Sequence, residues 1–150
     1  MAKAVPEGMH TLTPQLAIDG CDKAIEWFKK AFGAELISRA PDPSGKKVWH
    51  ASMRIGGSMF FVNDVFPEMG GGAQTASLWL YTDKVDEWFK RATDAGATVK
   101  MPMADMFWGD RMGTVKDPFG NTWNLSQHMK DMTPDEMKKA QDAFVAQMRK

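Results

Sequence analysis

An internal repeat constrains this chain more than any other feature of its sequence. The string EWFKKA at residues 26–31 returns as EWFKRA at residues 87–92, and each copy runs on into Gly-Ala, at 33–34 and at 96–97. Two copies about 60 residues apart are too few and too long for a solenoid. The repeat therefore predicts two copies of one supersecondary module.

Hydrophobic periodicity predicts the elements of each module, because apolar residues alternate in strands and recur every three to four residues in helices. Strands are predicted at 12–18, 35–40, 47–55, 58–63, 76–82, 97–101, 112–116 and 122–127, and helices at 22–32, 84–95 and about 133–149. The expected class is α+β, with two βαβββ modules and a C-terminal helix. We expect a single domain over 1–150, with module one at about 10–64, a linker at 65–75 and module two at about 76–128.

Charge and composition narrow the functional classes. Lys+Arg and Asp+Glu are equal at 19 each, whereas nucleic-acid binders usually carry a basic excess. The lone cysteine fits a reducing compartment, and no apolar run reaches the roughly 20 residues of a membrane span. These features predict a cytoplasmic protein that binds neither nucleic acid nor membrane. The 13 Met and 6 Trp residues favour an adaptable apolar pocket or interface.

The predicted C-terminal helix is amphipathic. Thr133 and Pro134 form a start signal, and Met137, Phe144 and Met148 follow at helical spacing. Such a stripe needs an apolar partner, either the same domain or another subunit. We expect a homodimer, and the stripe also leaves open an interaction module that docks a different partner.

Several strings together resemble one protein family. They are VWHA at 48–51, IGGS at 55–58, FWGDR at 107–111 and DPFGNTW at 117–123. With the two modules, they make residues 10–128 similar to the vicinal oxygen chelate superfamily, in its glyoxalase/bleomycin resistance group and PhnB-type branch. The resemblance implies that each module curls into a half-barrel, that the two enclose one cleft, and that the protein dimerises.

Catalytic members of that superfamily hold a divalent metal with His and Glu side chains. The positions that match here are Thr13, Asn63, Ser77 and Asn124. Neutral hydroxyls and amides are poor ligands for Zn, Ni, Mn or Fe. We therefore expect no metal and no cofactor. A shifted register that uses the three histidines His10, His50 and His128 is the alternative.

Strand alternation predicts which side chains face the cleft. Residues 49, 51, 53 and 55 of the third strand form an apolar set, which leaves Val48, His50, Ser52 and Arg54 facing the cleft. An apolar wall with a few placed polar groups is typical of small-molecule sites. The predicted ligand-binding residues are Gln15, His50, Ser52, Arg54, Trp79, Tyr81, Trp108 and Asn124, and His50 is also a weak candidate for catalysis.

The predicted function is metal-independent binding of a flat, partly apolar small molecule in the cleft between the two modules, with an antibiotic among the candidates. The alternative is an enzyme of the same superfamily, a lyase, isomerase or dioxygenase-like protein acting on a small metabolite. Such an enzyme would use a metal through an unrecognised ligand set, or His50 as a general base near neutral pH.

Overall fold

The computed structural model describes residues 2–149. Their elements are β1 (Gln15–Ala17), α1 (Cys21–Phe32), β2 (Glu35–Pro41), β3 (Val48–Ile55), β4 (Ser58–Asn63), β5 (Ser77–Tyr81), α2 (Val85–Asp94), β6 (Thr98–Asp105), β7 (Asp110–Lys116), β8 (Thr122–His128) and α3 (Pro134–Met148), with a short 3₁₀ helix at Pro67–Met69. The chain divides into two compact units. The first comprises residues 2–76 with 118–121, and the second comprises residues 77–117 with 122–149.

The two units contain sheets of the same topology. The strand order is β1-β4-β3-β2 in the first sheet and β5-β8-β7-β6 in the second. The first strand of each module pairs in parallel with the last one, and the other pairs are antiparallel. The predicted α+β class with two βαβββ modules is confirmed, and so is the C-terminal helix.

The first unit has its core between α1 and the sheet. Phe28 and Phe32 are fully buried, and the Phe28 ring meets the Phe60 ring edge-on with centroids 5.7 Å apart. The turn at 118–121 adds Phe119, whose ring lies 6.5 Å from that of Trp27. These aromatic contacts hold α1 against the face of the sheet that carries Phe60.

Asp64 caps the start of α1 from a distance. Its Oδ1 accepts hydrogen bonds from the backbone N–H groups of Gly20 and Cys21, each at 3.1 Å. Its Oδ2 accepts the N–H of Val48 at 2.7 Å, so one carboxylate joins α1, β3 and the end of β4. The anion also suits the positive end of the helix dipole.

Burial raises the pKa of the Cys21 thiol to about 12, and Asp64 and Asp22 add to the increase. Because the thiolate is the nucleophilic form, Cys21 is unreactive at neutral pH.

In the second unit, other residues cap the helix and fill the core in a similar way. Gln127 Oε1 accepts the N–H of Val85 at 3.2 Å, which caps α2 much as Asp64 caps α1. Trp123 is buried and donates from Nε1 to Asp117 at 2.9 Å. Gly113 permits close packing, since a Cβ there would lie 2.7 Å from the Phe89 ring.

The first strand is shorter than predicted. We expected a strand over 12–18, but only Gln15–Ala17 pair as a strand, and Leu12 is 86% exposed. Pro14 has no N–H to donate, although its carbonyl accepts the N–H of Phe61 at 2.9 Å. The pairing with β4 therefore ends there.

The predicted alternation of β3 is wrong at its start. Ala40 pairs with His50 and Pro41 with Val48, so Trp49 is an extra residue in a β-bulge. The bulge reverses the alternation, because an inserted residue breaks the two-residue period. Val48 is fully buried rather than facing the cleft, and Trp49 is 44% exposed rather than part of the buried apolar set.

The C-terminal helix α3 begins as predicted, with the Thr133 hydroxyl accepting the N–H of Glu136 at 3.1 Å. None of the residues at 134–148 is buried. The rings of Phe144 and Phe107 are in contact, with centroids 5.0 Å apart, but Phe144 stays 45% exposed. No helix in the part of the chain that the structure describes is long and apolar enough to cross a membrane.

Candidate functional site

A pocket of about 220 Å³ opens in the first unit, at the end of the sheet face that lies opposite α1. Strand residues form one side of it and the loop after β4 forms the other. Its lining consists of Gln15, Ala17, Trp49, Asn63, Asp64, Val65, Phe66, Met69, Gly71 and Gly72. Its volume is below the roughly 300–1,000 Å³ of pockets that hold whole drug-sized molecules. It admits a small ring system, or one end of a larger molecule.

The apolar side of the pocket is aromatic. The rings of Trp49 and Phe66 are 5.1 Å apart and tilted by 57°. The loop beyond them is compact, because Phe66 O accepts the N–H groups of Met69 and Gly71 at 3.0 and 3.1 Å. A Cβ at Gly71 would lie 3.0 Å from that same carbonyl oxygen, so the turn favours glycine.

The polar side of the pocket is a chain of amides. Gln15 Nε2 donates to Asn63 Oδ1 at 2.8 Å, and Asn63 Nδ2 donates to Asp64 O at 2.8 Å. Both amides are thereby fixed in orientation. This side therefore presents a second N–H and a carbonyl oxygen of Gln15 to a ligand.

The predicted residues of the first unit share one sheet face. The register pairs Gln15 with Phe61 and Phe61 with Ser52. His50 lies beside them, with Nε2 3.3 Å from the Ser52 hydroxyl and its ring 4.7 Å from that of Phe61. Arg54 forms an ion pair with Glu35, with its Nη2 2.7 Å from Glu35 Oε2. Of the predicted residues, Gln15 lines the pocket, and the other three lie further along the same face.

In the second unit, the predicted residues form an aromatic surface over a polar layer. Trp79 and Tyr81 are 50% and 62% exposed, and their rings stack with centroids 6.3 Å apart. Asn124 pairs with Trp79 in register but is buried. Its Oδ1 accepts the Thr114 hydroxyl at 2.9 Å, and its Nδ2 donates to Ser77 Oγ and Leu78 O, each at 3.2 Å.

Trp108 belongs to a polar cluster that the sequence analysis did not identify. Its Nε1 donates to Asp110 Oδ2 at 3.2 Å, and the same oxygen accepts the Ser126 hydroxyl at 3.3 Å. His128 Nδ1 lies 2.8 Å from Asp110 Oδ1, and its Nε2 lies 2.7 Å from Asp131 Oδ1. Since carboxylates only accept, both contacts are hydrogen bonds when the imidazole is protonated. The cluster fastens the segment before α3 to β7.

We expect this cluster to make stability depend on pH. Hydrogen bonds that the His128 ring donates to Asp131 and Asp110 raise the pKa of His128 above its ordinary value of 6.5. The stabilisation is complete below that ordinary value and is lost as pH rises through the raised pKa of the folded state. Thermal melts of wild type and His128→Gln from about pH 5 to about pH 9 should therefore differ most at low pH. The matched control is His10→Gln, an exposed histidine; melting curves of His128→Gln that parallel wild type at every pH would contradict the assignment.

The residues at the metal positions of the family do not fit a metal. Thr13, Asn63, Ser77 and Asn124 offer neutral hydroxyl and amide groups, and Asn124 already uses both ends of its amide. Within residues 2–149, no group of three or more His, Cys, Asp or Glu side chains is arranged to hold a metal ion. The expected absence of a metal remains a prediction.

Four residues line the pocket although their sequence pattern did not indicate a ligand: Trp49, Asn63, Asp64 and Phe66. A bulge turns Trp49 outward, and Phe66 lies in the segment predicted as a linker. Asn63 was visible as a polar residue at a strand end, but only as a poor metal ligand. Phe66 was the sequence signal that could have indicated the site, because it is an aromatic residue within a segment predicted as a linker.

Comparisons with known proteins agree with this fold. Residues 9–125 match the profile of the Glyoxalase/Bleomycin resistance protein/Dioxygenase superfamily. An uncharacterized protein of Mycobacterium bovis is 39% identical over an alignment of 138 positions, which covers 86% of this chain and 90% of that protein.

Two solved structures are also similar. TioX from Micromonospora sp. ML1 has a TM-score of 0.68 at 29% identity, over 80% of this chain and 99% of that one. Lactoylglutathione lyase from Agrobacterium tumefaciens has a TM-score of 0.60 at 21% identity, over 79% of this chain and 92% of that one. At 21% identity, the likeness to the lyase concerns the fold alone.

Proposed function

Because this chain belongs to the Glyoxalase/Bleomycin resistance protein/Dioxygenase superfamily, we propose that it binds a flat, partly apolar small molecule without a metal ion. The proposal places that molecule in the pocket of the first unit. Its main support is the pairing of the Trp49 and Phe66 rings, 5.1 Å apart, with the fixed amide of Gln15. Aromatic walls supply apolar area, and a few oriented polar groups select the ligand.

Neutral donors at the family's metal positions support the metal-free part of the proposal. A binding protein needs burial and stacking, and neither requires a Lewis acid. Stacking on a ring adds about 0.5–1.5 kcal/mol to the free energy gained by burying area. Binding with a dissociation constant of roughly 1–100 μM is within reach of a small pocket of this kind.

A screen of flat aromatic compounds in the presence of a chelator tests this function. We expect compounds that bind to quench tryptophan fluorescence. The variant Trp49→Leu should lower their affinity at least about tenfold, because it removes one wall of the pocket. Elemental analysis of the purified protein should find no stoichiometric transition metal.

The variant Trp79→Leu is the matched comparison, since Trp49 and Trp79 are 44% and 50% exposed. If Trp79→Leu abolishes binding and Trp49→Leu does not, the ligand occupies the aromatic surface of the second unit, where Trp79, Tyr81, Trp108 and Asn124 are the predicted ligand-binding residues. If no compound binds, or binding requires a metal, the proposal fails.

The metal-free form of the enzyme alternative depends on His50. Its contacts are with the Ser52 hydroxyl and the Phe61 ring, and neither orients an imidazole as a carboxylate does in known general-base pairs. Chemical conversion of a screening hit that His50→Ala abolishes would favour the enzyme over the binding protein.

We also propose that two copies of the chain form a homodimer through α3. Phe144 and Met148 are 45% and 69% exposed, and burying each such side chain contributes about 1.5–3 kcal/mol. Equal numbers of acidic and basic residues leave little long-range repulsion between copies. At low micromolar concentration, light scattering should give twice the chain mass of 16.8 kDa.

For the dimer, Phe144→Ser should shift the mass toward that of one chain, because it removes the largest apolar side chain of the stripe. Lys139→Ser, an exposed change on the same helix, should leave it at the dimer value. A wild-type protein that scatters as a single chain would rule out the dimer and leave α3 without the proposed partner.

A further inference from the structure

Hydrogen-bonding groups in the pocket of the first unit narrow the ligand class further, on the premise that this pocket is the binding site proposed above. Two charged side chains that adjoin the pocket already have partners. The Asp64 carboxylate binds N–H groups at the start of α1 and of β3. The Lys47 ammonium lies 3.3 Å from Val65 O and over the Phe66 ring. The polar selection of a ligand therefore depends on neutral groups.

The direction of both amides on the polar side follows from one backbone oxygen. Asp64 O can only accept, so Asn63 must turn its Nδ2 toward it, and the two atoms are 2.8 Å apart. Asn63 Oδ1 then faces Gln15, which must present its Nε2 donor, again at 2.8 Å. Flipping either amide would bring two acceptor oxygens together. The chain therefore leaves Gln15 Oε1 and the second N–H of Gln15 Nε2 for a ligand.

These two groups of Gln15 are an acceptor and a donor in one plane, because a side-chain amide is planar. A ligand that satisfies both needs an N–H for Oε1 and an acceptor for the Nε2–H, on neighbouring atoms. A lactam has this pair on adjacent atoms of a flat ring. Glutamine side chains bind adenine edges with the same combination of one donor and one acceptor.

We propose that the ligand carries a cyclic amide, a flat ring with an N–H beside a carbonyl group, and that Gln15 recognises this edge. Trp49 lines the same pocket and supplies apolar contact to any flat ring. Gln15 distinguishes the lactam from rings that lack the N–H or the carbonyl. The pocket volume of about 220 Å³ restricts the part that enters to a small ring system, so a larger molecule inserts its lactam end.

Three neutral bicyclic probes test this preference by isothermal titration calorimetry at neutral pH. Isoindolin-1-one has the N–H and the carbonyl, 1-indanone has a CH₂ in place of the N–H, and indole has an N–H without a carbonyl. Isoindolin-1-one should bind at least about fivefold more tightly than either of the others, because each of them leaves one group of Gln15 covered and unpaired.

The variant Gln15→Met keeps the length of the side chain and removes both amide groups. It should abolish the preference by weakening isoindolin-1-one to the level of the other two probes, whose affinities should change less than about twofold. Trp49→Leu should instead weaken all three probes by similar factors, because the ring contact is common to them. The matched control Gln147→Met, on the exposed surface of α3, should leave the preference unchanged.

The outcomes separate the ligand class from the binding function. If the three probes bind wild type alike, or Gln15→Met retains the preference, the lactam class is wrong and the binding function stands. The same conclusion follows if no probe binds while other flat compounds from the fluorescence screen do. If no flat compound binds at all, the binding function fails, and the lactam class with it.

Discussion

Replacing Asp64 by alanine is expected to lower the free energy of unfolding by about 3 kcal/mol and the melting temperature by about 6–12 °C. The variant leaves three backbone N–H groups, those of Gly20, Cys21 and Val48, without their acceptor. Each buried unpaired donor costs about 1–3 kcal/mol, and water that enters the space left by the carboxylate recovers part of that cost. Urea and thermal denaturation measure the effect.

Two further variants separate the cap from a general loss of charge. Asp42 accepts the N–H of Lys47 at 3.1 Å in an exposed turn, so Asp42→Ala should cost less than about 1 kcal/mol. Asp64→Asn keeps one carbonyl acceptor and should fall between wild type and Asp64→Ala. Equal stabilities for Asp64→Ala and Asp42→Ala would show that the long-range cap contributes little.

Replacing Gly109 by alanine is expected to destabilise the second unit by about 3 kcal/mol. Gly109 has φ of 95°, a region that L-residues rarely adopt, and a Cβ there would overlap the backbone oxygen of Lys130. Gly109 O also accepts the N–H groups of Met129 and Lys130, at 2.9 and 3.0 Å. The clash would push the segment before α3 away from the turn and break these bonds.

Hydrogen exchange distinguishes this local release from a global loss of stability. Gly109→Ala should speed exchange of the Met129 and Lys130 amides more than that of amides in β3. The control Gly45→Ala has a similar φ of 76° with open space around its Cβ, so it should cost only the backbone strain of about 1 kcal/mol. If the two variants are equally stable, the close approach to Lys130 is not what requires glycine at 109.

Much of the fold follows from local patterns. The helix at Cys21–Phe32 matches the predicted 22–32, and the strand at Ser58–Asn63 matches its prediction residue for residue. The helix stop at Gly33 is equally local, since its φ of 63° is one that glycine adopts without strain. Besides β1, strand β6 departs from its prediction, because it continues to Asp105 rather than ending near 101. Its extension depends on pairing with β7, which no local pattern reports.

The candidate site was much less accessible to sequence reasoning. Alternation placed Gln15 correctly on the face opposite α1, because that strand is regular through Ala17. The same rule misassigned Trp49, because its orientation depends on how β3 pairs with Pro41 of β2. The roles of Asp110 and His128 were also missed, since 18 residues separate the two side chains that meet at 2.8 Å.

Residue types alone predict the repeat, the two βαβββ modules, the family and the absence of charged metal ligands at the matched positions, because each is expressed within short runs of the chain. The side chains that line the pocket, and the hydrogen bonds that hold them, depend on the tertiary structure. The bulge that turns Trp49 outward, the carboxylate that binds amides 16 to 44 residues away, and the amide chain from Gln15 to Asp64 all join separate elements. Such contacts depend on how strands pair, and residue spacing along the chain does not encode that pairing.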